Sequence, residues 1–135
     1  MLSELIDAIP PALGIPHARI VLGGFSQGTV MSYALALGPE RPSPAALIAL
    51  SGFIPTVAGW EPALEGRAGL PVWIGHGRRD PVISVEFAHS ARDLLTGAGL
   101  DVAYHESEAA HHVDPRSLEP LSEWVTDALA RGASL

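Results

Sequence analysis

The segment with the clearest chemical potential is Gly24–Gly28, which reads Gly-Phe-Ser-Gln-Gly and has the form G-x-S-x-G. It follows an apolar run and opens a compact, Ala-rich stretch, so it is predicted to turn from a strand into a helix. Such a turn strains the backbone of Ser26, and glycines two residues away on either side avoid clashes. Ser26 would then be an exposed nucleophile, with the backbone N–H of Gln27 aimed at an oxyanion. An ordinary glycine-rich turn that cradles a phosphate is the alternative.

An acid, Asp80, lies on the loop after another apolar run, Pro71–Gly77. Loops at the carboxyl ends of parallel strands form the rim where sites occur in such sheets. Taken alone, Asp80 is better explained as the cap of the turn ahead of Pro81. His76 lies at the end of the same run between two glycines, and it is predicted to be a packed, hydrogen-bonded structural histidine.

Two adjacent histidines, His111 and His112, lie on the loop after a fourth run, Asp101–Ser107. A loop between strand and helix lets a histidine reach a serine and act as its general base. The chain order Ser26, Asp80, histidine is the order of the α/β-hydrolase triad and differs from the trypsin and subtilisin orders. We therefore predict a serine hydrolase in which Asp80 orients the histidine.

A metal hydrolase is the less favoured alternative. Its ligands would come from His76, Asp80, His111 and Asp114, but the chain has no H-E-x-x-H or comparable helical spacing. No metal and no cofactor is predicted. The absence of cysteine also removes a thiol nucleophile, a thiolate metal site and a disulfide framework.

The elements that must position these residues alternate between strand and helix. Strands are predicted at Ala18–Phe25, Ala45–Gly52, Pro71–Gly77 and Asp101–Ser107. Helices are predicted at Ser3–Ile9, where Pro10 and Pro11 end or kink the first one, at Gln27–Leu37, from Val85 to Ala98, and from the cap Asp114 to Gly132. Strands in series with helices indicate βαβ units and a parallel sheet. The fold class is therefore α/β, with about four parallel strands flanked by helices in a single domain of 135 residues.

Composition excludes several classes of partner. Hydrophobic residues make up 47% and charged residues 17% of the chain, which is typical of an ordered, well-buried fold. The net charge of −7, with arginine as the only strong base, argues against nucleic acid and anionic membranes as partners. No apolar stretch reaches the length of a membrane span. The first residues carry early acids and no basic region, so a cytoplasmic location is expected.

From about Ile15 to Trp124 the sequence resembles the C-terminal two-thirds of the phospholipase/carboxylesterase family, which includes acyl-protein thioesterases. The resemblance rests on Gly24–Gly28, on Ser51–Pro55 (Ser-Gly-Phe-Ile-Pro, similar to the family's S-G-[YF]-[LI]-P) and on Val72–Val82. It also includes Ala110–Pro115, which is similar to the family's G-H-x-[IV]-x-P. That register implies that His111 is the base and that His112 is the variable residue after it.

The resemblance implies a carboxylesterase that hydrolyses short-chain esters or thioesters of small molecules. Ser51, Phe53, Ile54 and Trp60 would shape an apolar acyl pocket. Members of the family begin with several strands that this sequence lacks, and one of the missing loops supplies a second oxyanion N–H. The alternative is therefore a weak or inactive hydrolase-like fragment or interaction module.

The lack of these N-terminal strands also affects the oligomeric state that we expect. Without earlier strands, the run Ala18–Phe25 becomes an edge of the sheet, and an apolar edge is a pairing hazard unless something covers it. The short first helix is too small to hide it all. We therefore expect a homodimer that meets at this strand or at its flanking helix.

Overall fold

One parallel sheet organises the computed structural model, which describes residues 2–133. Within these residues the strands are β1 (Val21–Phe25), β2 (Ala46–Leu50), β3 (Pro71–Gly77) and β4 (Asp101–Ser107), and they lie side by side in that order. All three neighbouring pairs are parallel. The carboxyl ends of the strands therefore share one edge of the sheet, and the loops that follow them meet there. The α/β fold class and the four parallel strands are confirmed.

Helices connect and flank the strands. They are α1 (Leu2–Leu13), α2 (Gln27–Leu37), α3 (Val85–Gly97) and α4 (Leu118–Ala133), with short 3-10 turns at His17–Arg19 and Pro115–Ser117. Because residues 17–19 form a 3-10 turn, the first strand begins at Val21. The predicted start at Ala18 was therefore wrong. Among residues 2–133 no helix combines the length and the hydropathy needed to cross a membrane.

The apolar core lies between one face of the sheet and the helices α2 and α3. In the parallel register of β2 and β3, Leu47 lies beside Val72 and Ala49 lies beside Ile74. All four side chains are buried in one apolar cluster, which also contains Tyr33, Leu37, Ala88, Ala91 and Leu95. Side chains alternate along a strand, so Trp73 projects from the opposite face. There its ring contacts Trp124 of α4 at a centroid distance of 5.8 Å.

The first helix continues through its two prolines, so the prediction that it ends at Ile9 was wrong. The helix ends at Leu13, because Gly14 adopts a left-handed φ of 68°. The N–H of Ile15 then donates to the carbonyl of Pro10 at 3.0 Å. This pattern is a Schellman-type C-cap, which satisfies a terminal carbonyl.

Candidate active site

Ser26 lies at the junction of β1 and α2. Its backbone adopts φ 57° and ψ −116°, a left-handed conformation that is costly for any residue with a side chain. The N–H of Ser26 donates to the carbonyl of Leu50 at 2.9 Å, which attaches the turn to the end of the neighbouring strand β2. Gln27 is the first residue of α2, and the first N–H groups of a helix have no acceptor within the helix. A turn of this shape presents a serine hydroxyl beside free N–H donors.

The two glycines of the motif have different roles. A Cβ on Gly24 would overlap the backbone of Gly28, whereas a Cβ on Gly28 would meet open space. The prediction that both positions must lack a side chain is therefore right for Gly24 and wrong for Gly28. The reason is that Gly24 faces the first turn of α2, while Gly28 lies on the outer side of that turn.

Thr29 anchors the same turn and was not identified from the sequence as a site residue. It is 1% exposed, and its hydroxyl accepts a hydrogen bond from the N–H of Leu50 at 2.9 Å. The hydroxyl also lies 2.6 Å from the carbonyl of Leu50 and 2.8 Å from that of Gly24. One side chain thus links α2 to the carboxyl ends of β1 and β2.

Asp80 is buried at the end of the loop after β3, and its two carboxylate oxygens have separate partners. Oδ1 accepts hydrogen bonds from the N–H groups of Val82 at 2.8 Å and Ile83 at 2.9 Å. Oδ2 lies 2.7 Å from Nδ1 of His111. Burial opposes ionisation, but the N–H groups of Ile83 and Val82 and the His111 ring together outweigh it and lower the pKa of Asp80. Asp80 is therefore ionised at neutral pH.

His111 joins Asp80 to Ser26. Its Nε2 lies 3.0 Å from the Ser26 hydroxyl oxygen, and its Nδ1 faces the Asp80 carboxylate. Because an ionised carboxylate only accepts hydrogen bonds, Nδ1 carries the proton and Nε2 is left to accept the serine proton. This is the arrangement in which a neutral imidazole can act as a general base toward a hydroxyl.

The other histidines of this edge have different surroundings. His76 is 4% exposed, and its Nε2 lies 2.7 Å from the carbonyl oxygen of Ile83, so it is packed and hydrogen-bonded as predicted. His112 lines a separate cavity of about 200 Å³. Asp114 caps the turn ahead of α4 by accepting from the N–H of Arg116 at 2.9 Å. Nowhere in residues 2–133 are three or more His, Asp or Glu side chains placed to hold a metal ion.

The loop that carries the acid and the loop that carries the histidine are joined directly. The N–H of Arg78 donates to the carbonyl of Ser107 at 2.7 Å, and the N–H of Arg79 donates to that of Ala109 at 3.1 Å. The Arg78 guanidinium also binds Glu106 at 2.8 Å and contacts Glu108. A Cβ on Gly77 would overlap the carbonyl of Ala109, so glycine allows the two loops to approach.

The four predicted pocket residues divide between two cavities. Phe53, Ile54 and Trp60 line a shallow apolar groove of about 670 Å³, whose other wall includes Phe87 and Leu94 of α3. The ring of Phe53 contacts that of Phe87 at a centroid distance of 5.4 Å.

Ser51 does not line this groove. It is 2% exposed, adopts a φ of 52° and faces the smaller cavity beside His112. The expectation that Ser51 belongs to the apolar pocket was therefore wrong. The chain bends sharply at Ser51, so residues on either side of this bend face different cavities.

The sequence is similar to those of known proteins. The profile of the family described as Phospholipase/Carboxylesterase matches residues 1–129. Acyl-protein thioesterase 1 of Cryptococcus neoformans is 32% identical, over 94% of this chain and 59% of its own length. The chain thus spans little more than half of this relative.

Solved structures share the fold. The carboxylesterase of Bacillus cereus superposes with a TM-score of 0.77 at 23% identity, over 94% of this chain and 58% of its own. Esterase PE8 superposes with a TM-score of 0.78 at 26% identity, with the same coverage of both chains. At 23% identity, the likeness to the Bacillus cereus enzyme bears on the fold alone.

Proposed function

The chain belongs to the phospholipase/carboxylesterase family, and we propose that it is a serine hydrolase of carboxylic esters or thioesters. The observation that carries the proposal is the pair of contacts made by His111. One ring nitrogen lies 3.0 Å from Ser26 Oγ and the other lies 2.7 Å from Asp80 Oδ2. The strained turn at Ser26 and the ionised, buried Asp80 support the same roles.

In the proposed reaction Ser26 Oγ attacks the acyl carbon while His111 Nε2 takes the serine proton. Asp80 holds the ring and stabilises the imidazolium that forms. The N–H of Gln27 donates to the oxyanion, aided by the positive end of α2. His111 then returns the proton to the leaving alcohol or thiol, which departs and leaves an acyl-serine. Water, deprotonated by the same nitrogen, attacks this ester, and the acid is released as Ser26 regains its proton.

The acyl chain is proposed to lie in the groove lined by Phe53, Ile54 and Trp60. Gly52, the residue before Phe53, packs against the turn: a Cβ built on it would lie 2.9 Å from the carbonyl oxygen of Ser26. Phe53 of the groove therefore directly follows a residue that contacts the turn carrying Ser26. Its apolar walls suit an aliphatic chain more than a charged acid, and we propose short-chain esters as substrates.

We also propose that the chain acts as a homodimer. Among the described residues β1 pairs only with β2 and so forms an edge of the sheet, where Phe25 is 41% exposed. A partner that covers this edge would also be placed to supply a second oxyanion donor near Ser26. The cytoplasmic location stays a prediction.

Hydrolysis of p-nitrophenyl esters tests the function. The purified chain should release p-nitrophenol from the acetate and butyrate esters, and a matched thioester series should show whether sulfur is accepted as the leaving atom. Rates with Phe53→Ala should fall more for butyrate than for acetate, because the longer chain loses more contact. Failure of the purified chain to hydrolyse any ester or thioester of either series, with the fold intact, would favour an inactive interaction module.

A further inference from the structure

We propose that Phe25 is a positioning residue that holds the His111 ring in place during deacylation. The inference rests on the proposed function, since it assigns His111 the role of base. It goes beyond that function because Phe25 contributes no atom to the triad. The sequence identified it only as a variable position of the G-x-S-x-G motif.

The contact itself is well defined. The rings of Phe25 and His111 lie 5.0 Å apart between centroids, with 39° between their planes. Phe25 is the last residue of β1 and directly precedes the nucleophile, so strand geometry fixes its position relative to Ser26. It is 41% exposed although it is large and apolar. At this edge of the sheet, the Phe25 ring contacts the imidazole of His111.

Phe25 matters most after acylation. In the free enzyme the His111 ring is held at one nitrogen by Asp80 and at the other by the Ser26 hydroxyl. Once Ser26 is acylated, its oxygen no longer carries a proton to donate to Nε2. The ring then keeps a single hydrogen-bonded anchor, Asp80. The Phe25 ring is the lateral contact that persists while water must be deprotonated.

The test compares Phe25→Leu with Phe25→Tyr, which keeps the ring, and with Met31→Leu, a control on the exposed part of α2. The first readout is the NMR spectrum of the His111 ring, assigned by its loss in His111→Asn. We expect the ring signals to broaden in Phe25→Leu, because the ring loses its lateral contact, and to stay unchanged in the other two variants. If Phe25→Leu does not fold, Phe25→Met replaces it.

The second readout separates the two chemical steps. Slower deacylation in Phe25→Leu should lower kcat and KM together by a few-fold, with a larger initial burst of p-nitrophenol and little change in kcat/KM. Unchanged His111 signals together with an unchanged burst would overturn the inference. The NMR measurement needs no turnover, so signals that broaden in Phe25→Leu while the unmodified chain hydrolyses no ester would contradict the proposed function and leave the Phe25 contact standing.

Discussion

Thr29 packs directly against Gly52, so that a Cβ on Gly52 would lie 2.5 Å from the Thr29 Cβ. The contact joins the first turn of α2 to the chain that leaves β2. Together with the hydrogen bonds of the Thr29 hydroxyl to Leu50 and Gly24, it fixes the turn that carries Ser26. The strained backbone of Ser26 is therefore held by tertiary contacts and not by its local sequence alone.

Replacing Thr29 tests this anchor. Thr29→Val keeps the shape of the side chain but leaves the buried N–H of Leu50 without its acceptor, which costs about 1–3 kcal/mol. We expect the free energy of unfolding, measured in urea, to fall by that amount and the kcat for ester hydrolysis to fall with it. Thr29→Ser keeps the hydroxyl and is the matched control. Equal behaviour of the valine and serine variants would show that the hydroxyl does not anchor the turn.

The two adjacent histidines give a second prediction. His111 contacts both Ser26 and Asp80, whereas His112 faces another cavity. His111→Ala should lower kcat by roughly the 10²–10⁴ that general acid–base catalysis contributes, while His112→Ala should retain most of the activity. The kcat values of the two variants, measured by steady-state kinetics on p-nitrophenyl acetate, show which histidine is the base. A larger loss in His112→Ala would refute the assignment of the base.

Asp80→Asn gives a third prediction. The amide oxygen can still accept from Val82 and Ile83, so the fold should persist, but the amide nitrogen would face Nδ1 of His111. Nδ1 would then become an acceptor and the proton would move to Nε2, where it blocks the base. We expect a loss of kcat on the order of 10⁴ with an unchanged unfolding transition. A variant that keeps at least a tenth of the activity would contradict the role of Asp80.

Much of this site was predictable because its residues follow strands. Parallel strands bring their carboxyl ends to one edge, so Ser26, Asp80 and the histidine loop could be expected to meet. Two features were not predictable from local patterns. Ser51 faces a different cavity from Phe53, and the Phe25–His111 contact joins residues far apart in the chain. Both depend on tertiary placement, which local propensity does not encode. The end of α1 is different, because the left-handed Gly14 that ends the helix is a local signal.

Assembly gives a fourth prediction. If β1 or its flanking helix forms a dimer interface, a charge on the edge strand should block the pairing. Val21→Lys should shift the mass measured by light scattering from dimer to monomer, and both stability and activity should fall. Leu118→Lys places the same charge on an exposed position of α4 and is the control. A folded, active monomer of the unmodified chain at micromolar concentration would exclude the dimer.

Covalent labelling tests whether Ser26 is the nucleophile. A fluorophosphonate incubated with the unmodified chain should add one phosphonyl group, which peptide mass spectrometry should place on Ser26. Ser26→Ala should not be labelled and should not hydrolyse esters, while its circular dichroism spectrum stays unchanged. Labelling at another serine, or ester hydrolysis that survives in Ser26→Ala, would contradict the role of Ser26 as the nucleophile.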